Sequence, residues 1–295
     1  MTIRIGINPL TWSNDDLPSL GADIDLETCL REAAAVGYAG VELGHKFPRR
    51  ADELGPLLER QGLVLVSGWY SLRLLERTAE AEFAAMQPHL ELLQALGSGV
   101  MVCAEVTGCV HGDLQARLSR RPRLRGAAFA QFAARLDELA ACMRERGMRL
   151  VYHHHMGTVV ESEDEVDALL AACGPEVELL LDTGHLRYAG GDPARAVRHH
   201  GARIAHLHCK DIRPEVLERC LNADTSFLEA VLQGVFTVPG GGCIDYTAII
   251  EPLLAAGYDG WIVVEAEQDP AIADPVINAA LGFETLKRIL DKHRP

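Results

Sequence analysis

Leu179-Leu180-Leu181-Asp182-Thr183-Gly184-His185 is a short apolar run that breaks off into a carboxylate, a turn-permitting glycine and an imidazole. Three consecutive leucines fit a strand buried on both faces, the pattern of a parallel sheet. The polar residues then fall at that strand's C-terminal mouth, where parallel α/β folds carry their chemistry. An aspartate with a histidine three residues on can serve a divalent metal or a proton transfer. The same pair can do less: the aspartate can cap the next helix while the histidine merely packs.

The same unit repeats on both sides of this stretch. Further apolar strands are expected at Ile3 to Asn8, Gly40 to Leu43, Leu63 to Trp69, Gly99 to Glu105, Met148 to His155, Arg203 to Lys210 and Trp261 to Glu265. Segments of helical periodicity separate them, several ending at a glycine such as Gly37, Gly62 or Gly147. Ser162-x-x-Glu165 reads as a capping box, and Pro193 as the first residue of a helix. Eight strands alternating with helices over residues 1–295 predict one α/β domain, a (β/α)8 TIM barrel. An open doubly wound sheet would be expected to carry a Gly-rich dinucleotide fingerprint after its first strand, and GINPLTW offers none. Residues 214–242 exceed what a plain loop needs and hold a helical middle, VLERCLNADTSFLEAVLQ, so they are expected to form an insertion over the barrel mouth.

Charge narrows the partners. With 42 acidic and 28 basic residues the chain carries a formal net charge of −14, a field that repels nucleic acid and anionic membrane and favours a small neutral or metal-chelating substrate. MTIRIGINPLTW lacks the apolar core of a signal peptide and no run approaches the ~20 apolar residues of a membrane span, so a cytoplasmic protein is expected, with homo-oligomerisation left open. Cys29, Cys103, Cys109, Cys142, Cys173, Cys209, Cys220 and Cys243 show no CxxC spacing and are expected to be reduced, Cys103 and Cys209 falling at strand ends where they could line a site.

In a barrel, residues at strand ends converge on one pocket. The fifth strand offers His153 and His155, the sixth Asp182 and His185, the seventh His206 and His208 with Lys210 and Asp211, the eighth Glu265 and Glu267. Residues two apart on a strand share a face, so both members of each such pair can point inward. Imidazoles and carboxylates without thiolates suit Mn(II), Co(II), Fe(II) or Zn(II) rather than a structural zinc site. Some of these histidines are expected to be hydrogen-bonded core or rim residues, His206 among them. Glu42 and Glu105 could bind a ligand or a backbone amide; Asn8 and Trp12 could supply a hydrogen bond and an apolar wall, or, for Trp12, simply packing.

Asp182-Thr-Gly-His185, His206-Leu-His208-Cys-Lys210-Asp211 and Val263-Val-Glu265 resemble the successive strand-end motifs of the xylose-isomerase-like TIM barrels. GINPLTWSNDD, VELGHKFP, YHHHMGTVVES and WIVVEAEQDP look most like the inosose dehydratases of inositol catabolism within that superfamily. The resemblance implies a metal-dependent hydro-lyase acting on a small polyol or cyclic ketone, 2-keto-myo-inositol, with a ketose epimerase or isomerase on the same barrel as the alternative. Carried over, it makes Asp182, His208 and Glu265 metal ligands; where the superfamily has a glutamate on the fifth strand this chain has a histidine run, with His153 nearest by alignment and His155 on the same face. That substitution shifts the expected ion towards Mn(II) or Co(II), with Zn(II) or Fe(II) next.

The implied reaction removes a proton beside a ketone and expels the neighbouring hydroxyl. Lys210, His185, His155 and Glu267 are the candidate acids and bases, Lys210 or His185 foremost, and a desolvated Lys210 would have its pKa lowered as a neutral base requires. Asn8, Trp12, Glu42, Glu105 and Glu267 are the expected substrate contacts.

Overall fold

The computed structural model describes residues 3–293. Among them the strands are β1 (Arg4–Ile7), β2 (Gly40–Leu43), β3 (Val64–Leu72), β4 (Val100–Glu105), β5 (Arg149–His153), β6 (Val177–Asp182), β7 (Ile204–Cys209), β8 (Asp211–Ile212), β9 (Phe236–Thr237) and β10 (Trp261–Val264). Eight of these close into a parallel barrel in the order β1-β10-β7-β6-β5-β4-β3-β2, while β8 and β9 pair antiparallel outside it. This is the TIM-barrel α/β architecture expected from the alternation of strands and helices, with β10 as its eighth strand.

Alternation explains the leucine run. Leu180 packs inside the barrel with Val102, Val151 and Ala205, whereas Leu179 and Leu181 face the larger core between sheet and helices. All three are at most 1% exposed, which is why this strand reads as continuously apolar. Asp182 follows Leu180 by two residues and inherits the inward face, now at the open end. The glycine stops act as anticipated: Gly37 and Gly62 adopt positive φ and close the helices Leu26–Val36 and Ala51–Gln61.

Boundaries differ from the expected ones at two of the candidate strand ends. β5 ends at His153, so His154 and His155 lie on the loop beyond it, and a short helix, Thr183–Tyr188, begins directly after Asp182. In the segment after β7 the helical middle is two helices, Pro214–Ala223 and Phe227–Leu232, broken where Asp224 takes a left-handed φ of 48°. Phe227 and Phe236 from this segment pack with Met156, Tyr188 and Ile212 in a separate apolar cluster. The β4 loop reaches it: Leu118 N–H donates to the carbonyl of Thr225. The sequence from Arg117 to Arg125 is rich in arginine and reads as a solvated loop face, but Arg121 within it is buried and ion-paired to Glu161 and Glu165. No helix of the described residues is long and apolar enough to cross a membrane, and all eight cysteines are free, Cys103 and Cys209 being core residues that leave the cavity below unlined by sulfur.

Candidate active site

Four adjacent strands, β5, β6, β7 and β10, each bring one residue able to ligate a metal to the C-terminal mouth, on the strand or directly after it. Donor atoms of His153, Asp182, His208 and Glu265 lie within 4.8 Å of one another and all four residues are buried. Asp182 Oδ2 stands 3.8 Å from His153 Nε2 and 3.7 Å from His208 Nδ1. His208 Nδ1 is 2.8 Å from Glu265 Oε2.

Two of these atoms carry the argument for a cation. Asp182 Oδ2 and His208 Nδ1 are buried without a hydrogen-bond partner, and such orphans are costly unless something absent from the protein chain satisfies them. The close approach of His208 Nδ1 to Glu265 without a hydrogen bond is the spacing of two ligands on one ion. Tautomers agree. His153 Nδ1–H donates to the carbonyl of His154, leaving Nε2 as the free lone pair, and His208 Nε2 donates to Glu42, leaving Nδ1. Two imidazole nitrogens and two carboxylate oxygens therefore fit a divalent ion. Asp182 serves both readings of the sequence at once: Oδ1 caps the Thr183–Tyr188 helix through His185 N–H at 2.7 Å, and Oδ2 points to the cluster.

Glu42 organises the floor. It accepts hydrogen bonds from Asn8 (2.7 Å), Ser67, His206 (2.8 Å) and His208. Burial alone would raise its carboxyl, but the pull of His208 and the hydrogen bonds outweigh it and hold the pKa well below the usual range; against burial, His208 is in turn pushed well above the usual imidazole range by Glu265 and Glu42, so a divalent ion at Nδ1 would take the place of its second proton. His206 is thus a satisfied hydrogen-bonding residue rather than part of the four-atom cluster.

A second group adjoins the first. Lys210 Nζ lies 2.6 Å from Glu265 Oε1, 2.5 Å from Glu267 Oε1, 3.6 Å from Asp182 Oδ2 and 2.9 Å from His185 Nε2, with no exposure at all. The expected lowering of its pKa does not occur. Burial acts in that direction, yet three carboxylates overcome it and push the ammonium's pKa up. Glu267 is pushed up to about 7 by burial, against the lowering pull of Lys210. His155 and His185 are held as neutral imidazoles by burial and by neighbouring cations, their rings 3.9 Å apart. His185 is also stacked on Phe227, 5.6 Å away.

These groups face a cavity of about 240 Å³ lined by Asn8, Glu42, His153, His155, His208, Glu265 and Glu267 among others. His185, Asp182 and Lys210 lie behind that surface. Two expected substrate contacts are placed elsewhere. Trp12 is in the hydrophobic core, 1% exposed, its indole N–H donating to Glu32 at 2.6 Å. Glu105 turns its carboxylate onto the backbone N–H groups of Leu74 and Thr107, which holds the turn after β3. Conversely, Ser67 and Trp69 of β3, His111, and Asn14 to Asp16 line the cavity without having been singled out in the sequence. Ser67 and Trp69 are two apart on a strand already placed, a legible signal; the others come from loops, where periodicity is silent.

The chain matches the model of the xylose isomerase-like TIM barrel family over residues 30–289. It is 48% identical over 98% of its length to a rhizopine catabolism protein, MocC, of Rhizobium meliloti, 89% of which is covered. It is 41% identical over 92% of its length to an inosose dehydratase of Geobacillus thermodenitrificans, 92% of which is covered. Among solved structures, a zinc-bound IolI protein superposes with a TM-score of 0.71 at 15% identity, covering 99% of each chain, a likeness of fold. The chain belongs to the xylose isomerase-like TIM barrel family, among relatives that include the inosose dehydratases.

Proposed function

We propose that this protein is a divalent-metal-dependent hydro-lyase that removes water from 2-keto-myo-inositol in inositol catabolism. The observation that carries the reading is the buried four-atom set of His153, Asp182, His208 and Glu265 with its two orphaned donors. Relatives named inosose dehydratase at 37–41% identity over more than nine-tenths of the chain support the choice of substrate. Those four residues would hold the ion, and a set of two imidazoles and two carboxylates favours Mn(II) or Co(II) over softer alternatives. When bound, the ion supplies Lewis-acid polarisation of the substrate ketone.

The remaining work falls to the chain's own groups. His155 lines the cavity as a neutral imidazole whose Nδ1–H donates to the carbonyl of Met156 at 2.8 Å, so Nε2 is free to accept the proton from the carbon beside the ketone. Glu267 lines the same cavity and is hydrogen-bonded to Lys210, so it is placed to hand a proton to the departing hydroxyl, releasing water. Lys210 keeps its proton and, through Glu267 and Glu265, sets the charge of that wall. His185 packs against Lys210, Phe227 and Phe236, and the Lys210 ammonium itself lies 4.9 Å over the Phe236 ring, so this apolar roof closes the buried side of the wall.

The test is direct. Purified protein is stripped of metal, reloaded with Mn(II), Co(II) or Zn(II), and given 2-keto-myo-inositol while the enone-type product is followed by ultraviolet absorbance. Loss of turnover on chelation and recovery with Mn(II) or Co(II) is the expected result. Turnover that survives both chelation and Asp182→Ala would remove the metal from the reaction, and an epimerised product without dehydration would replace the hydro-lyase with a ketose epimerase.

A further inference from the structure

Two residues that line the cavity each carry a buried polar atom with no partner in the protein, and neither has a part in the chemistry above. Asn14 is 1% exposed; its Oδ1 accepts from the backbone N–H groups of Asp16 and Leu17 at 2.9 and 2.8 Å, and its Nδ2 is left unsatisfied. His111 is 8% exposed and its Nδ1 is likewise unpartnered. Both residues line the same cavity as His155 and Glu267. The His111 ring stands 4.9 Å from that of His155 and 6.5 Å from that of Trp69, forming one side of an aromatic wall. Asp16 Oδ1 approaches His111 Nε2 only to 3.9 Å, too far for a hydrogen bond.

The charges on this wall have one sign. Asp15 and Asp16 stand at the mouth, with side chains 41% and 35% exposed, and no arginine or lysine lines the cavity. A phosphate or carboxylate group directed at this wall would meet two aspartates and no cationic side chain. A hydroxyl, which both donates and accepts, would satisfy Asn14 Nδ2, His111 Nδ1 and the Asp16 carboxylate alike.

We infer that Asn14, His111 and Asp16 form a subsite beside His155, in the cavity that the metal cluster faces, that receives the ring hydroxyls of an uncharged polyol and turns away phosphorylated or carboxylated analogues. The inference rests on the proposed reaction for its substrate and adds the part of the site that selects it. Asn14 and His111 act in binding and Asp16 in exclusion, so their loss separates from loss of chemistry.

Asn14→Asp keeps the oxygen that caps Asp16 and Leu17 while removing the donor, and His111→Phe keeps the aromatic wall while removing the nitrogen. With 2-keto-myo-inositol and the metal-loaded enzyme, each is expected to raise KM about tenfold with kcat changed less than threefold and metal content intact. Inhibition by myo-inositol 1-phosphate is expected to be absent in the wild type and to appear in Asp16→Asn, with at least a tenfold gain in affinity. Unchanged KM in both binding variants would overturn the subsite, as would kcat and metal content falling together with it. Wild-type inhibition by the phosphate as strong as by myo-inositol would overturn the exclusion. Should the wild type fail to turn over 2-keto-myo-inositol, the proposed reaction falls, and calorimetric binding of myo-inositol decides the subsite alone: weakening in Asn14→Asp supports it, equal affinity removes it.

Discussion

His208 Nε2 donates to Glu42 Oε1 at 3.2 Å while Nδ1 of the same ring faces Asp182 and Glu265, so one carboxylate outside the cluster fixes which nitrogen can ligate inside it. A carboxylate behind a ligating histidine sets its tautomer and basicity. Glu42→Ala is therefore expected to weaken metal binding by about 10- to 100-fold while leaving the four donors in place. Competition with a coloured chelator measures it, and an unchanged affinity would show that Glu42 serves folding alone.

His153 and His155 were alternatives for the fifth-strand ligand, and their positions predict opposite failures. His153→Ala is expected to lose bound metal. His155→Ala is expected to keep it and to lose turnover by about 10²- to 10⁴-fold, the usual worth of a general base. Metal content by elemental analysis beside kcat distinguishes them; equal metal loss in both would bring His155 into the coordination set.

Lys210 is a buried cation among three carboxylates. Taking away one partner of such a cluster leaves uncompensated buried charge, which costs about 3–5 kcal/mol. Lys210→Met should lower the unfolding free energy of the metal-free protein by that order. Added divalent ion is expected to recover part of the loss, since it replaces positive charge at the same carboxylates; denaturant titrations with and without metal report both effects.

His154 is fully buried and neutral, its Nε2 accepting from the Asp182 N–H at 3.2 Å. Burial holds its pKa at about 4 against 6.5 for an exposed imidazole. Between those values the unfolded chain binds a proton that the folded chain does not, so stability falls as pH drops through that window. The loss assigned to this residue is about 3 kcal/mol by pH 4, and it is absent above pH 7. In the metal-free protein, His154→Asn should flatten the stability–pH curve by about one proton across this range; an unaltered slope would mean that His154 is charged in the folded state.

What the sequence disclosed follows from period and position. A triple leucine followed by Asp182, and the His-x-His of β7, identify strand ends because a parallel strand is apolar until it reaches the mouth. That placed His153, Asp182, His208 and Glu265 among the strand-end candidates, while their selection from that larger set came from the family resemblance. Trp12 and Glu105 were misplaced because a strand end does not say which way a loop turns: Trp12 folds back to Glu32, and Glu105 turns to two amides. The pKa of Lys210 was misjudged because burial can be inferred from one residue, whereas compensation by Asp182, Glu265 and Glu267 depends on two other strands. Asn14 and His111 gave no signal, since their role lies in what fails to bond to them.

Asp211 follows β7 and gathers the backbone N–H groups of Gly240, Gly242 and Ile244 onto one carboxylate, at 2.9 to 3.2 Å. Amides in a glycine-rich turn ordinarily trade hydrogen with solvent within seconds, whereas these three are bonded as amides in a sheet are. Deuterium uptake should accordingly mark the Pro239–Ile244 turn as slow in the native protein and fast in Asp211→Ala, making the return of the chain to the barrel a timed element rather than a loose one.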